Sequence, residues 1–223
     1  MWQMIELKTK DGQTISAYRA EPAGKPRGGV VIIQEIWGVN SHIRNVADGY
    51  AADGYLAVAP AIFDRVERGV VMDQYNQETM QKGFGIMQKV DADKALLDIE
   101  AAVKTSSAAG KVGVVGFCFG GRIAWLAASR VPGVAASVPY YGGGIPGLAS
   151  EQPKCPVMLH FGERDQHIPV ASVEEFKKAH PELPVYLYAA DHGFNCDQRE
   201  SYDAAAAKLA RERTIKFLRE NVG

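Results

Sequence analysis

The chain opens on two short alternating segments. Gln3 to Lys8 and Thr14 to Arg19 alternate apolar with polar positions on either side of Asp11-Gly12, the pattern of an antiparallel hairpin at the edge of a sheet. After Pro26 the pattern changes. Gly29 to Ile33, Leu56 to Ala59, Val112 to Phe117, Ala135 to Tyr140, Val157 to Phe161 and Val185 to Tyr188 are short apolar runs, as expected of strands covered on both faces of a parallel sheet. Helical spacing appears between them. Ala95, Leu96, Ile99, Ala102 and Val103 share one face of Ala92 to Lys104, and Leu209, Ala210, Phe217 and Leu218 make a stripe in Ser201 to Glu220.

Strands alternating with helices imply right-handed crossovers and a doubly wound, mostly parallel α/β sheet that carries the antiparallel hairpin at its N-terminal end. No linker rich in Pro, Gly or Ser divides the chain and no internal repeat is present, so residues 1–223 read as one domain. The segment Asp64 to Val90 is only weakly periodic, with Gln and Met scattered through it. An excursion of that length is expected to lie over the sheet as a cap.

Composition narrows the partners. With 25 basic and 26 acidic residues the formal charge is -1, which offers no excess of positive charge to nucleic acid or anionic lipid. The first residues carry Glu6, Lys8, Lys10 and Asp11 where a signal peptide needs an apolar stretch, and no later segment reaches a membrane-spanning length of apolar residues. The reading is therefore cytoplasmic, with a small-molecule partner, as a monomer or small homo-oligomer. Three widely spaced cysteines, Cys118, Cys155 and Cys196, suit neither a disulfide framework nor a zinc knuckle. No metal and no cofactor are expected.

The strongest local signal is Gly116-Phe117-Cys118-Phe119-Gly120-Gly121, between the apolar run Val112 to Val115 and the helix-like Arg122 to Ser129. Gly-x-nucleophile-x-Gly at a strand-to-helix turn is the nucleophile-elbow pattern, here with Cys in place of Ser. The turn is tight enough to need small neighbours, and it sets the thiol at a helix N-terminus, where the dipole favours the anion. A lone cysteine is more often a buried structural residue; the glycines, the strand and the helix together favour a nucleophile.

Such a nucleophile needs an acid and then a histidine further along the chain. Asp165 lies in the loop after Val157 to Phe161, and His192, in Asp191-His192-Gly193-Phe194, lies after Val185 to Tyr188. Each would sit past the C-terminal end of a strand, where open α/β sheets bind ligands. Among the other histidines, His160 falls within a strand and reads as core, His42 and His180 read as surface residues near helix ends, and His167 is a rival to His192 within the Asp165 loop. Gln34-Glu35-Ile36-Trp37-Gly38 follows the Gly29 strand, where the fold places its second oxyanion-hole amide. The amides of Ile36 and Phe119 are thus expected to hold a developing oxyanion. Trp37, Tyr141 and Phe194 adjoin these motifs as candidate substrate contacts. Gly142-Gly143-Gly144-Ile145-Pro146-Gly147 fits a dinucleotide-binding spacing, but Pro146 does not open the helix such a site requires, so it reads as a loop.

The elbow, the Gln-Glu-Ile-x-Gly loop, the Gly-x-x-Asp acid loop and the Asp-His-Gly-Phe segment together resemble the dienelactone hydrolase (carboxymethylenebutenolidase) family, over nearly the whole chain. The resemblance implies the α/β-hydrolase fold and hydrolysis of carboxymethylenebutenolides or related esters through an acyl-thiol intermediate. It implies a role for Glu35, whose carboxylate would contact the thiol in the resting enzyme until substrate displaces it. It also implies arginines that grip a substrate carboxylate, one of them four residues after the histidine. That position is Cys196 here, and no Arg occurs between Val70 and Gly121 to supply the second, which leaves Lys82, Lys89 or Arg199 to reach the pocket from an unmatched position. The alternative is a binding or thiol-sensing protein of the same fold, which would have no need of Asp165.

Overall fold

The alternating apolar runs settle into one eight-stranded sheet. In the computed structural model, which describes residues 1–223, the strands are β1 (Trp2–Lys8), β2 (Thr14–Ala20), β3 (Gly29–Ile33), β4 (Leu56–Pro60), β5 (Val112–Phe117), β6 (Val134–Tyr140), β7 (Leu159–Gly162) and β8 (Val185–Tyr188). Their spatial order is β1-β2-β4-β3-β5-β6-β7-β8. The β1–β2 hairpin joins antiparallel through β2 to β4, and β4 through β8 run parallel. The expected run from Val157 contracts, because Val157 makes only an isolated bridge to Ser137 and ladder pairing resumes near Leu159.

Six helices cover the sheet: α1 (Ser41–Ala52), α2 (Gln77–Met87), α3 (Ala92–Ser106), α4 (Phe119–Arg130), α5 (Val170–Ala179) and α6 (Ala204–Asn221). The period-two geometry of β3 divides its side chains between two cores. Val30 and Ile32 join a 37-residue cluster with α1, α5 and α6, while Val31 and Ile33 join a 20-residue cluster with α3. Helix α4 reaches both, through Trp125 and Ala128 on one side and Ile123 and Leu126 on the other. Asp203 caps α6 by accepting from the Ala206 amide, so the helix begins later than its apolar stripe suggests. Its buried face is Ala206, Ala210, Thr214, Phe217 and Leu218, and Leu209 is exposed. No helix is long and apolar enough to cross a membrane.

The segment after β4 is tied down over the C-terminal end of β3. Gly38 pairs with Val71 in an isolated antiparallel bridge, the Met72 amide donates to the Trp37 carbonyl at 3.0 Å, and Asn40 Nδ2 donates to the Met72 carbonyl. Helix α2 starts on a reciprocal Asn76–Thr79 capping box. Thr79 Oγ1 also accepts from Trp37 Nε1 at 3.2 Å, which fixes the helix against the loop after β3.

Candidate active site

Close backbone packing dictates the elbow between β5 and α4. A Cβ at Gly116 would overlap the Gly120 carbonyl, and one at Gly120 would overlap the carbonyls of Ile33 and Gln34. Only glycine lets strand and helix approach this far. Between them Cys118 takes φ 54° and ψ -115°, one of two non-glycine residues with positive φ. A strained conformation of this kind costs about 1–3 kcal/mol and persists where surrounding structure enforces it. Here the Cys118 amide donates to the Tyr140 carbonyl at 3.0 Å and the Arg122 amide donates to the Cys118 carbonyl at 3.2 Å. Cys118 occupies the N-cap of α4 without using its side chain as a cap, so the sulfur remains free.

Two loops bring partners to that sulfur. His192, four residues past β8, places Nε2 3.2 Å from Cys118 Sγ, and its Nδ1 lies 2.7 Å from Asp165 Oδ2. The other Asp165 oxygen accepts from the amides of His167 at 2.8 Å and Ile168 at 3.1 Å. The buried carboxylate is thereby satisfied and aimed at the imidazole. Burial works against an imidazolium here, but the Cys118 sulfur and Asp165 outweigh it and raise His192 to about 10. His167 also lies close, its ring 5.3 Å from that of His192, yet Asp165 engages its backbone amide instead of its imidazole.

The sulfur faces a cavity of about 490 Å³ lined by Ile36, Trp37, Phe119, Met80, Phe84 and Met87, with His167, His192, Arg122 and Arg199 supplying polar groups. Ile36 and Phe119, whose amides are the expected oxyanion donors, line the same cavity as Cys118. Of the three aromatic residues expected to touch substrate, Trp37 alone lines this cavity. Tyr141 and Phe194 are fully buried, and the Tyr141 ring packs 5.2 Å from His192 and 5.3 Å from Phe194. They support the histidine from the core side. Gly143 and Gly144 belong to the cavity wall, and Pro146–Leu148 forms only a single 3₁₀ turn.

Glu35 departs from the resting arrangement expected of it. It is buried, but the hydrogen-bond partner of Cys118 Sγ is His192, while Glu35 Oε1 lies 3.6 Å from Arg199 Nη1. Arg199, seven residues past the histidine, folds its guanidinium back over Gly193 and sits 4.9 Å from the Trp37 ring. A side chain on Gly193 would occupy the space of that guanidinium. Cys196, at the position the family gives to an arginine, is fully buried and outside the cavity wall, and burial pushes its thiol up to about 12. The absence of the usual clamp left Lys82, Lys89 and Arg199 as the cations that could enter from an unmatched position, and of the three Arg199 lines the cavity. The segment Asp64 to Val90 is the expected cap, and α2 within it lines the cavity through Met80, Phe84 and Met87, side chains whose helical spacing went unused in reading the sequence.

The remaining histidines are all buried. His160 bonds to Tyr188 Oη and Thr214 Oγ1, and burial pushes it down to about 3, as a neutral core residue. His42 and His180, expected at the surface, are each 3% exposed. His180 accounts for this by packing on Trp125 and Phe176 and bonding the Ala149 carbonyl at 2.8 Å.

Comparison with known proteins agrees with this architecture. The dienelactone hydrolase family model matches residues 15–222. A Synechocystis protein is 39% identical over 214 residues, covering 86% of each chain. The carboxymethylenebutenolidase of Pseudomonas putida is 34% identical over 224 residues, covering 96% of this chain and 94% of its own. A Klebsiella pneumoniae crystal structure superposes with a TM-score of 0.84 at 29% identity, over 97% of this chain and 98% of that one. A family match across almost the whole length, together with relatives of this similarity, establishes that the chain belongs to the dienelactone hydrolase family and is a hydrolase of ester or lactone bonds.

Proposed function

We propose that the chain hydrolyses its ester or lactone through a covalent thioester on Cys118. What carries this reading is the continuous line of contacts from Asp165 through His192 to a sulfur that opens on the cavity, at 2.7 and 3.2 Å. The Cys118 sulfur, its proton held on His192 Nε2, attacks the carbonyl carbon and forms a tetrahedral oxyanion. The Ile36 and Phe119 amides donate to that oxygen. As the intermediate collapses the carbon–oxygen bond to the leaving alkoxide breaks, and His192 gives it the proton. Water then adds to the thioester with His192 as base, and the second intermediate expels the thiolate and the free acid. Asp165 holds the imidazole in the tautomer that both half-reactions need.

Glu35 and Arg199 form the polar rim of the site. Glu35 takes no part in proton transfer in this scheme, and its carboxylate faces Arg199 across 3.6 Å. The test is hydrolysis of p-nitrophenyl esters by the wild type, Cys118→Ala and His192→Ala, with mass spectrometry to catch the acyl adduct on Cys118. Both variants are expected to lose turnover, and the double variant to lose no more than either, since the pair acts as a unit. Undiminished hydrolysis by Cys118→Ala overturns the nucleophile.

A further inference from the structure

A second group of reactive side chains lies under the site. Glu35 after β3, His42 in the first turn of α1 and Cys196 in the loop before α6 are all buried, and one ligand atom from each lies within 4.8 Å of the other two. The three come from separate parts of the chain, so no spacing motif announces them. His42 Nδ1 lies 3.2 Å from Asp197 Oδ1. That contact places the ring proton on Nδ1 and leaves a lone pair on Nε2. Nε2 has no hydrogen-bond partner despite being buried, and neither has Glu35 Oε1. The nearest cation to Glu35, Arg199 Nη1 at 3.6 Å, is beyond hydrogen-bond reach and is itself unpartnered. Cys196 is a free thiol.

Unsatisfied buried polar atoms are rare because they forgo solvation for nothing in return. Two of them in one cluster, beside a free thiol, are explained by a ligand that takes all three. The donor set decides its class. An imidazole nitrogen, a thiol sulfur and a carboxylate oxygen suit a borderline-soft divalent ion, whereas calcium and magnesium require oxygen alone. An outer carboxylate on the far nitrogen of the histidine is the usual support of a metal-binding imidazole, and Asp197 supplies it.

We propose that Glu35, His42 and Cys196 bind a divalent cation of the zinc class beside the catalytic pair. Binding forms a metal–sulfur bond and releases the Cys196 thiol proton to solvent. His42 coordinates through Nε2 and Glu35 through one oxygen, and the fourth position falls to water. Approach is through a surface cavity lined by His42, Asn195 and Asp197, separate from the one Cys118 lines. Ligation draws Glu35 off Arg199, so metal loading at this site alters the charge that faces substrate.

The probe is Co²⁺ alone, titrated into full-length protein carrying Cys118→Ala, which removes the catalytic thiol from competition. One equivalent is expected to bind with a thiolate-to-cobalt charge-transfer band and the strong visible bands of tetrahedral cobalt. Adding Cys196→Ser abolishes the charge-transfer band. Adding His42→Gln weakens binding at least about 100-fold, and the exposed outer partner, changed as Asp197→Asn, weakens it about tenfold without touching the core. Cys155→Ser leaves the spectrum unchanged. Absence of the band in Cys118→Ala, or its survival after Cys196→Ser, overturns the site. Esterase activity of the metal-free wild type is measured separately, so failure here leaves the hydrolytic reading standing.

Discussion

Of two polar networks built on a buried aspartate, one is closed and the other ends in a cavity. Around Arg65, the guanidinium donates to Asp98 at 2.8 Å and to Asp11 at 2.8 Å, and the carboxylate of Asp98 is fully buried in α3. Around His192, the imidazole joins buried Asp165 to the Cys118 sulfur. Both sink a carboxylate into the core and pair it with a cation-forming group. In the first, burial outweighs Arg65 and pushes Asp98 up to about 6, with Asp98 Oδ1 left without a partner. In the second, every Asp165 oxygen is used and the line stops at the Cys118 sulfur on the cavity wall. Perturbed titration alone therefore does not mark the active site; a network that terminates on an open cavity does.

The comparison is tested hardest by equivalent changes at the two carboxylates. Asp165→Asn is expected to lower turnover about ten-thousand-fold, through the wrong histidine tautomer, with little change in melting temperature. Asp98→Asn leaves turnover close to wild type. His167→Ala has a far smaller effect than Asp165→Asn, because only its backbone amide reaches the acid. Kinetics and thermal melts on the three proteins decide this, and a larger loss from His167→Ala reassigns the histidine.

Removing the cation of the closed network has the opposite signature. Arg65→Ala leaves Asp98 buried and unpaired, which costs about 3–5 kcal/mol for a pair of this kind. In a chain of this size that lowers the melting temperature by roughly 10 °C. Turnover per folded molecule stays near wild type. Replacing both partners, as Arg65→Met with Asp98→Leu, recovers most of the lost stability, since no unpaired charge remains. Failure of the double variant to recover shows that the pair specifies the local packing beyond balancing its own charges.

The third difference is in pH dependence. His192 is raised to about 10 from the 6.5 of an ordinary histidine, so its proton, needed by the leaving alkoxide, persists well into alkali. The profile of kcat/KM is expected to stay level through neutral pH and to fall about tenfold per unit above about pH 10. Asp165→Asn removes one of the groups that raises His192, and moves this limb toward neutrality. A basic limb near 6.5 in the wild type means that the thiol–imidazole pair does not carry the reaction.

These contrasts also show what a sequence can disclose. The elbow was legible because it is local: Gly116 and Gly120 make room for one strand and one helix that are adjacent in the chain. Asp165 and His192 were legible because a parallel sheet sends the residue after each strand to the same edge. The strand periods likewise gave the hairpin and the sheet, with β7 starting two residues late. Arg199 was legible only as one of three cations, with Lys82 and Lys89, since its reach depends on a loop that doubles back over Gly193. The burial of His42 was not legible, since it follows from Phe117 and the loop around Cys196 closing over the start of α1. Contacts made by loops that meet only in three dimensions leave no period to read.

Arg199 carries the smallest and most specific prediction. Its guanidinium lies at the cavity wall over Trp37, with Nη1 unpartnered and only the distant Glu35 oxygen to balance it. A substrate carboxylate reaching this wall would give it the charge-assisted, two-pronged contact that arginine is shaped to make. The position four residues after His192 cannot do this, because Cys196 is buried and an arginine placed there would force a charge into the core. A carboxylated ester is therefore expected to be used roughly tenfold better than its neutral analogue, corresponding to one hydrogen-bonded charge. Arg199→Ala should erase the preference, mainly through KM, since an anchor remote from the reacting carbonyl binds ground and transition states alike. Arg199→Lys keeps the charge without the fork and falls between the two. Matched kcat/KM values on the substrate pair settle it. If Arg199→Ala keeps the wild-type preference, the anionic group is read elsewhere in the cavity, with Arg122 as the remaining arginine on its wall.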